Sequence, residues 1–260
     1  MLGSGIAALI STILSAQAMD EWGWRIPFLL GGILGPVGFY LRRNIGETPH
    51  YERVRREAKP AAEGGLSPFW LAARAFGFTI NWTVIFYIFL VYMPTFAQKY
   101  LQIGRAGALW SNTIGVIALM IAIPIMGHLS DRHGRKPFLL ACCAAFIVLP
   151  YPLFAFMLGG VSLPAFVLVQ IVVGLLISLF SGAGPAAIAE IFPTRVRSTW
   201  MTSGYALSVA IFGGFAPYIA TWLIAWTGTP IAPVYYVIAA AVVSAVVIAY
   251  LKETAHAPLG

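Results

Sequence analysis

Long stretches without a single Asp, Glu, Lys or Arg alternate with short clusters of charge along this 260-residue chain. Between Arg74 and Lys99 lie 24 such residues, and between Arg105 and Asp131 lie 25. A helix of that length crosses a hydrocarbon layer of about 30 Å. The stretch from Pro137 to Ala189 holds 53 residues and that from Ser198 to Leu251 holds 54, so each predicts two spans with a turn between them. The turns are marked by Gly159-Gly160-Val161-Ser162-Leu163-Pro164 and by Thr227-Gly228-Thr229-Pro230. Ahead of these, Leu2 to Ala18 and Ile26 to Leu41 predict two more spans, the second lengthened by Trp22 and Trp24 at the interface. The apolar runs are continuous instead of alternating with a period of two, so the spans are helices and not barrel strands. The predicted fold class is an all-α polytopic membrane protein with eight transmembrane helices.

Composition agrees, with 60% hydrophobic and 10% charged residues and a mean hydropathy of +0.84, more than one soluble core could hide. Met1 to Ala18 has no basic region before its apolar stretch and so reads as a span, not as a secretory signal. Placing the Arg42–Arg74 segment in the cytoplasm puts thirteen Lys and Arg on that side and only Arg25, Lys99 and Arg105 on the other. That asymmetry satisfies the positive-inside rule and makes the C-terminus cytoplasmic. The net charge of +7 is thereby explained by topology, and no nucleic-acid partner is expected. Cys142 and Cys143, adjacent within a span, are too close for ordinary disulfide geometry and lack partners for a metal. No cluster of acids, histidines or nucleophile with base lies within a span, which argues against a membrane enzyme. No metal and no cofactor is expected.

The one long polar segment runs from Arg42 to about Pro68 and includes Lys59-Pro60-Ala61-Ala62-Glu63-Gly64-Gly65, the composition of a flexible linker. Two spans precede it and six follow. Tyr40-Leu41-Arg42 with Glu47-Thr48-Pro49 echoes Tyr250-Leu251-Lys252-Glu253-Thr254, a weak internal repeat of the kind carriers built from related halves show.

The most informative short pattern is Gly127-His128-Leu129-Ser130-Asp131-Arg132-His133-Gly134-Arg135-Lys136, in a loop between adjacent spans. Gly127 permits close helix approach, Asp131 can accept from a helix's first backbone amides, Gly134 allows a tight turn, and Arg132, Arg135 and Lys136 hold the loop inside. This pattern, G-x-x-x-D-R-x-G-R-K, resembles the loop signature of the major facilitator superfamily. Glu190-Ile191-Phe192-Pro193-Thr194-Arg195-Val196-Arg197 resembles the loop between that family's tenth and eleventh spans, and Trp22-Gly23-Trp24-Arg25-Ile26-Pro27-Phe28 resembles the start of the sixth span in its metabolite:proton symporters.

The resemblance covers essentially the whole chain as spans five to twelve, a truncated superfamily fold with eight helices of an expected twelve. It implies residues 1–41 as the last two spans of one bundle, 42–73 as a central loop, 74–252 as a six-helix bundle and 253–260 as a tail. By the same resemblance the protein is a secondary active transporter of a bacterial inner membrane, in which protons and a small organic acid or zwitterion move together by alternating access. The proton gradient is then the driving force. The alternative is a truncated, inactive membrane protein or helix-association partner.

Gating falls to the loop residues: Glu190 is expected to pair with Arg132 or Arg197, and Asp131 with a helix start, in the outward-open state only. Polar residues at helical spacing give the first cavity candidates, Asn81, Tyr92 and Thr95 on one span and Gln170, Ser178 and Ser181 on another. The resemblance, in which the seventh, eighth, tenth and eleventh spans line the cavity, adds Asn112 and Tyr205; interhelical hydrogen bonding is the alternative role for each of these residues. The spans carrying Cys142 and Ser244 hold almost no polar atoms and are expected to face lipid. All nine Asp and Glu and all four His lie in loops or at helix ends. The proton-coupling and charge-binding groups are therefore expected outside this chain.

Overall fold

The structure, a computed structural model, describes residues 2–32, 34–44, 68–191, 201–251 and 253, which contain helices and no strand. Arg197, most of the 42–73 linker and all of the 253–260 tail except Glu253 lie outside the described residues. The chain divides into two compact units, Leu2–Leu66 and Ser67–Gly260.

In the first unit, α1 (Leu2–Ile13) is shorter than the run Leu2 to Ala18 predicted. Ser15 is the reason: its backbone turns extended and its side chain accepts from the Ala18 amide at 3.2 Å, starting a new helical turn inside the apolar run. A π-helical turn, Met19–Gly23, leads into α2 (Arg25–Gly32) and α3 (Leu34–Asn44). The Arg25 guanidinium lies 5.1 Å from the centre of the exposed Trp24 ring, within cation–π range.

The second unit begins with α4 (Pro68–Phe86), which continues through a π-helical turn, Tyr87–Tyr92, into α5 (Met93–Tyr100). Then come α6 (Arg105–His133), α7 (Arg135–Val148) and α8 (Pro150–Leu158), with α9 (Leu163–Ile191) after the Gly159-Gly160 turn. Past the undescribed segment, α10 (Thr202–Ser208) runs through a π-helical turn, Val209–Gly214, into α11 (Ala216–Thr227). Left-handed Gly228 caps α11, and α12 (Pro233–Tyr250) completes the bundle.

Five of these continuous segments are long and apolar enough to cross a bilayer. Two bent pairs, Ala16–Gly23 with Arg25–Leu41 (40°) and Arg135–Val148 with Pro150–Leu158 (42°), raise the number to seven. Pro150 accounts for the second bend, because it has no amide to offer Phe146 and its ring crowds that carbonyl. The remaining apolar helix, Gly3–Ile13, is shorter than a span and stands where an eighth was expected.

Packing in the second unit depends on glycine where helices cross. A Cβ on Gly174 of α9 would lie 2.5 Å from the Gly115 carbonyl oxygen of α6, and one on Gly182 would lie 2.7 Å from the Gly127 amide nitrogen. Backbones this close gain dispersion contacts that lipid tails cannot match. A second device joins α12 to α4. The Ser244 hydroxyl accepts from the Asn81 amide (2.9 Å) and donates to the Gly77 carbonyl (2.7 Å), the two groups an undistorted helix would bond to each other. Ser244, Cys142 and Cys143 are fully buried, so the spans that carry them turn one face to the bundle and not only to lipid, as their apolar composition had suggested.

Candidate functional site

Two constellations in the second unit carry the chemistry: a charged clasp at the basic end, and a cavity among the helices.

The clasp begins at Gly134, between α6 and α7. Its φ of +97° is open to glycine and strained for other residues, and it lets α7 restart immediately after α6. Arg135, the first residue of α7, holds Glu190 of α9 through both carboxylate oxygens: Nε at 2.8 and 3.0 Å, Nη2 at 2.8 Å. The same guanidinium donates from Nη1 to Asp131 at 2.9 Å. The Arg135 and Glu190 side chains are 12% and 16% exposed, whereas Asp131 is 60% exposed, so the pair to Glu190 is the one shielded from solvent screening.

The expected latch partners are thus redistributed. Arg132 lies exposed at the end of α6, and Arg135 makes the described ion pair to Glu190; pairing of Glu190 with Arg197 lies outside the described residues. Asp131, expected on a helix start, is engaged by Arg135, and that helix-start role belongs to Glu253. Its oxygens accept from the Arg135 and Lys136 amides at 3.0 Å each, two of the donors α7 cannot satisfy internally. Lys136 completes the exchange: its ammonium donates to the Ala249 and Leu251 carbonyls at the end of α12, at 2.6 and 2.9 Å. The start of one helix and the end of another therefore satisfy each other. The sequence echo around Glu253 marked a helix end, but no local pattern tied it to a loop 118 positions away.

The cavity, about 320 Å³, opens among α4, α6, α9 and α10 with its adjoining π turn. Trp82, Phe86, Tyr87 and Tyr205 supply its aromatic wall, Thr83 and Ser181 its further hydroxyls, and Leu119, Ile123 and Val209 its aliphatic floor. None of these carries a formal charge at neutral pH. The Trp82 indole N–H donates to the Ser181 hydroxyl at 2.9 Å, and its ring stacks on buried Phe180 at 5.7 Å. Gly213 brings its π turn against the wall, since a Cβ there would lie 2.6 Å from the Tyr87 ring.

Of the cavity candidates, Ser181 and Tyr205 border this cavity and the others lie elsewhere. Asn81 is fully buried, with its side-chain amide 3.6 Å from the Cys143 sulfur. Tyr92 packs beside Phe96, Thr95 is exposed, and Asn112 is buried in α6. Gln170 reaches the Phe89 carbonyl at 3.5 Å, and the Ser178 hydroxyl bonds the Leu175 carbonyl of its own helix at 2.6 Å. The aromatic wall was missed because Trp82, Phe86 and Tyr87 read as core by composition. The i, i+4 spacing of Trp82 and Phe86, which places them on one face of α4, was the available signal. Among the described residues, no three His, Cys, Asp or Glu are placed to hold a metal ion.

Comparison with known proteins gives a consistent result. Residues 83–260 match the family model described as Major Facilitator Superfamily. The glycine betaine/proline/ectoine/pipecolic acid transporter OusA of Dickeya dadantii is 30% identical over all of this chain and 54% of its own length. The proline/betaine transporter of Escherichia coli K12 matches with the same identity and coverage. The citrate-proton symporter of Klebsiella pneumoniae is 30% identical over 96% of the chain and 57% of its own length. The chain thus spans about half the length of the curated relatives it matches.

Proposed function

This chain belongs to the major facilitator superfamily, and from that premise we propose that it forms part of a secondary active transporter in a bacterial inner membrane. The proposed activity is symport of a small zwitterion or organic acid with protons, with the C-terminus in the cytoplasm. One observation carries the reading: a cavity of about 320 Å³ among four helices, lined by aromatic and hydroxyl groups, within the size range of small-molecule sites. The relatives are named as carriers of betaine, proline and citrate, which supports the solute class. In this reading Arg135, Glu190 and Asp131 form a gate at the cytoplasmic end. Such a gate shifts a conformational equilibrium only by the difference in its strength between the two states, so the Arg135–Glu190 pair is made in one and broken in the other. Among the described residues no carboxylate lines the cavity, and this reading assigns uptake of the coupling proton to groups outside it.

The test is uptake of radiolabelled glycine betaine, proline and citrate into energised vesicles. This chain is compared with a version lengthened by spans that bring it to its relatives' size, each with and without a protonophore. Uptake that the protonophore abolishes supports symport. Absence of uptake by both proteins, with both present in the membrane, removes the transport reading in favour of a helix-association role.

A further inference from the structure

The cavity's chemistry is one-sided. Three aromatic residues of α4 and its π turn, with Tyr205 of α10, border it, and among the described residues no Lys, Arg, His, Asp or Glu does. A carboxylate entering here would meet no cation and would lose its hydration without return. A quaternary ammonium loses less on leaving water than a primary ammonium does, because its charge is spread under methyl groups and it has no N–H to leave unpaired, and it is attracted by the negative faces of aromatic rings.

The rings suit that purpose geometrically. The Trp82 and Tyr205 centroids are 5.9 Å apart with their planes tilted by 59°, forming a corner in which one cation can lie within about 6 Å of both. Phe86 and Tyr87 add a second, edge-to-face pair 6.0 Å apart. The indole is fixed before any ligand arrives, by its hydrogen bond to Ser181 and by stacking on Phe180, so little side-chain entropy remains to be lost on binding.

We infer that this cavity is an aromatic cage for the methylated-ammonium end of a zwitterionic solute, and that the solute's carboxylate is held by groups outside it. The inference rests on the transport reading for its physiological role, but it is a statement about binding and is tested as one. Purified chain in lipid nanodiscs is titrated calorimetrically with three probes: glycine betaine, tetramethylammonium, and 3,3-dimethylbutanoate. The last has the shape and carboxylate of glycine betaine with carbon in place of the charged nitrogen.

Glycine betaine is expected to bind at least tenfold more tightly than 3,3-dimethylbutanoate, and tetramethylammonium to displace it. Trp82→Leu should weaken binding at least tenfold, with Trp82→Phe, which keeps a ring, losing less. Equal affinity for glycine betaine and for 3,3-dimethylbutanoate, which lacks the cationic nitrogen, would overturn the inference, as would displacement of glycine betaine by citrate but not by tetramethylammonium. Because the decisive contrast is between ligands on the unaltered chain, a variant that fails to fold does not decide the matter. Tetramethylammonium binding without uptake by any version of the protein would leave the cage standing and remove the transport reading. Protonophore-sensitive uptake of a solute, with no tetramethylammonium binding, would do the reverse.

Discussion

Replacing Gly134 by alanine perturbs the clasp in two separable ways. At a φ of +97° and ψ of 149° the backbone is in a region that is almost glycine-only, and a side chain there costs about 1–3 kcal/mol. The new Cβ would also lie 2.9 Å from the Glu253 oxygen that accepts from the Lys136 amide. Displacing that carboxylate removes a helix cap, a loss of about 0.5–2 kcal/mol. Gly160→Ala supplies the control: its φ is +99°, but its Cβ would have nothing within 4 Å, so it carries strain without the clash. Gly134→Ala should therefore be the more destabilising of the two by the capping contribution. In a double-mutant cycle with Glu253→Ala, the losses should fall short of additive by about 0.5–2 kcal/mol, because the cap can be removed only once. The assay is reversible unfolding in mixed micelles, read beside amide hydrogen exchange at Arg135 and Lys136, which Glu253→Ala alone should accelerate. Equal losses for Gly134→Ala and Gly160→Ala, together with an additive cycle, would refute the clasp as described.

Three other substitutions probe separate parts of the bundle. Ser244→Ala removes both hydrogen bonds between α12 and α4, at typically about 0.6 kcal/mol each in a membrane bundle, and should change exchange at the Asn81 amide; unchanged stability and exchange would count against the inserted hydroxyl. Gly174→Ala forces α6 from α9 against backbone that cannot yield and should cost about 1–3 kcal/mol in the unfolding assay, whereas Gly107→Ala, which meets only flexible side chains of Leu163 and Ile103, should cost less. Glu190→Gln weakens a shielded, charge-assisted pair by about 1–3 kcal/mol and should alter the uptake rate of the transporting protein; an unchanged rate would remove the proposed gate.

The six spans after Arg74 were legible in the sequence because bilayer thickness sets the length of an uncharged run and charge marks where each run must end, whereas the first run, Leu2 to Ala18, was not, since Ser15 breaks it short of a span. Helix faces were far less legible. In water, an amphipathic helix shows its buried side as an apolar stripe. In a bilayer, lipid and protein interior are equally apolar, so periodicity does not say which side packs. That is why α7 and α12 read as lipid-facing although Cys142, Cys143 and Ser244 are fully buried. It is also why Asn81 seemed to point to a cavity that Trp82, its neighbour, borders instead. At the loop, residue types revealed a charged device but not its wiring. Arg135 and Arg132 are chemically equivalent in the motif, and among the described residues it is Arg135, the first residue after the turn at Gly134, that reaches Glu190.

Whether the cavity beside Ser181 is the path of a transported solute can be measured with Ser181→Cys in the transporting protein, where Cys142 and Cys143, both buried, add little background. The rate of modification by a small thiol reagent is measured with and without solute, followed by uptake. If solute passes through the cavity, its presence slows the modification and the modified protein no longer takes it up. Modification indifferent to every solute, with uptake intact afterwards, would show that the path lies elsewhere.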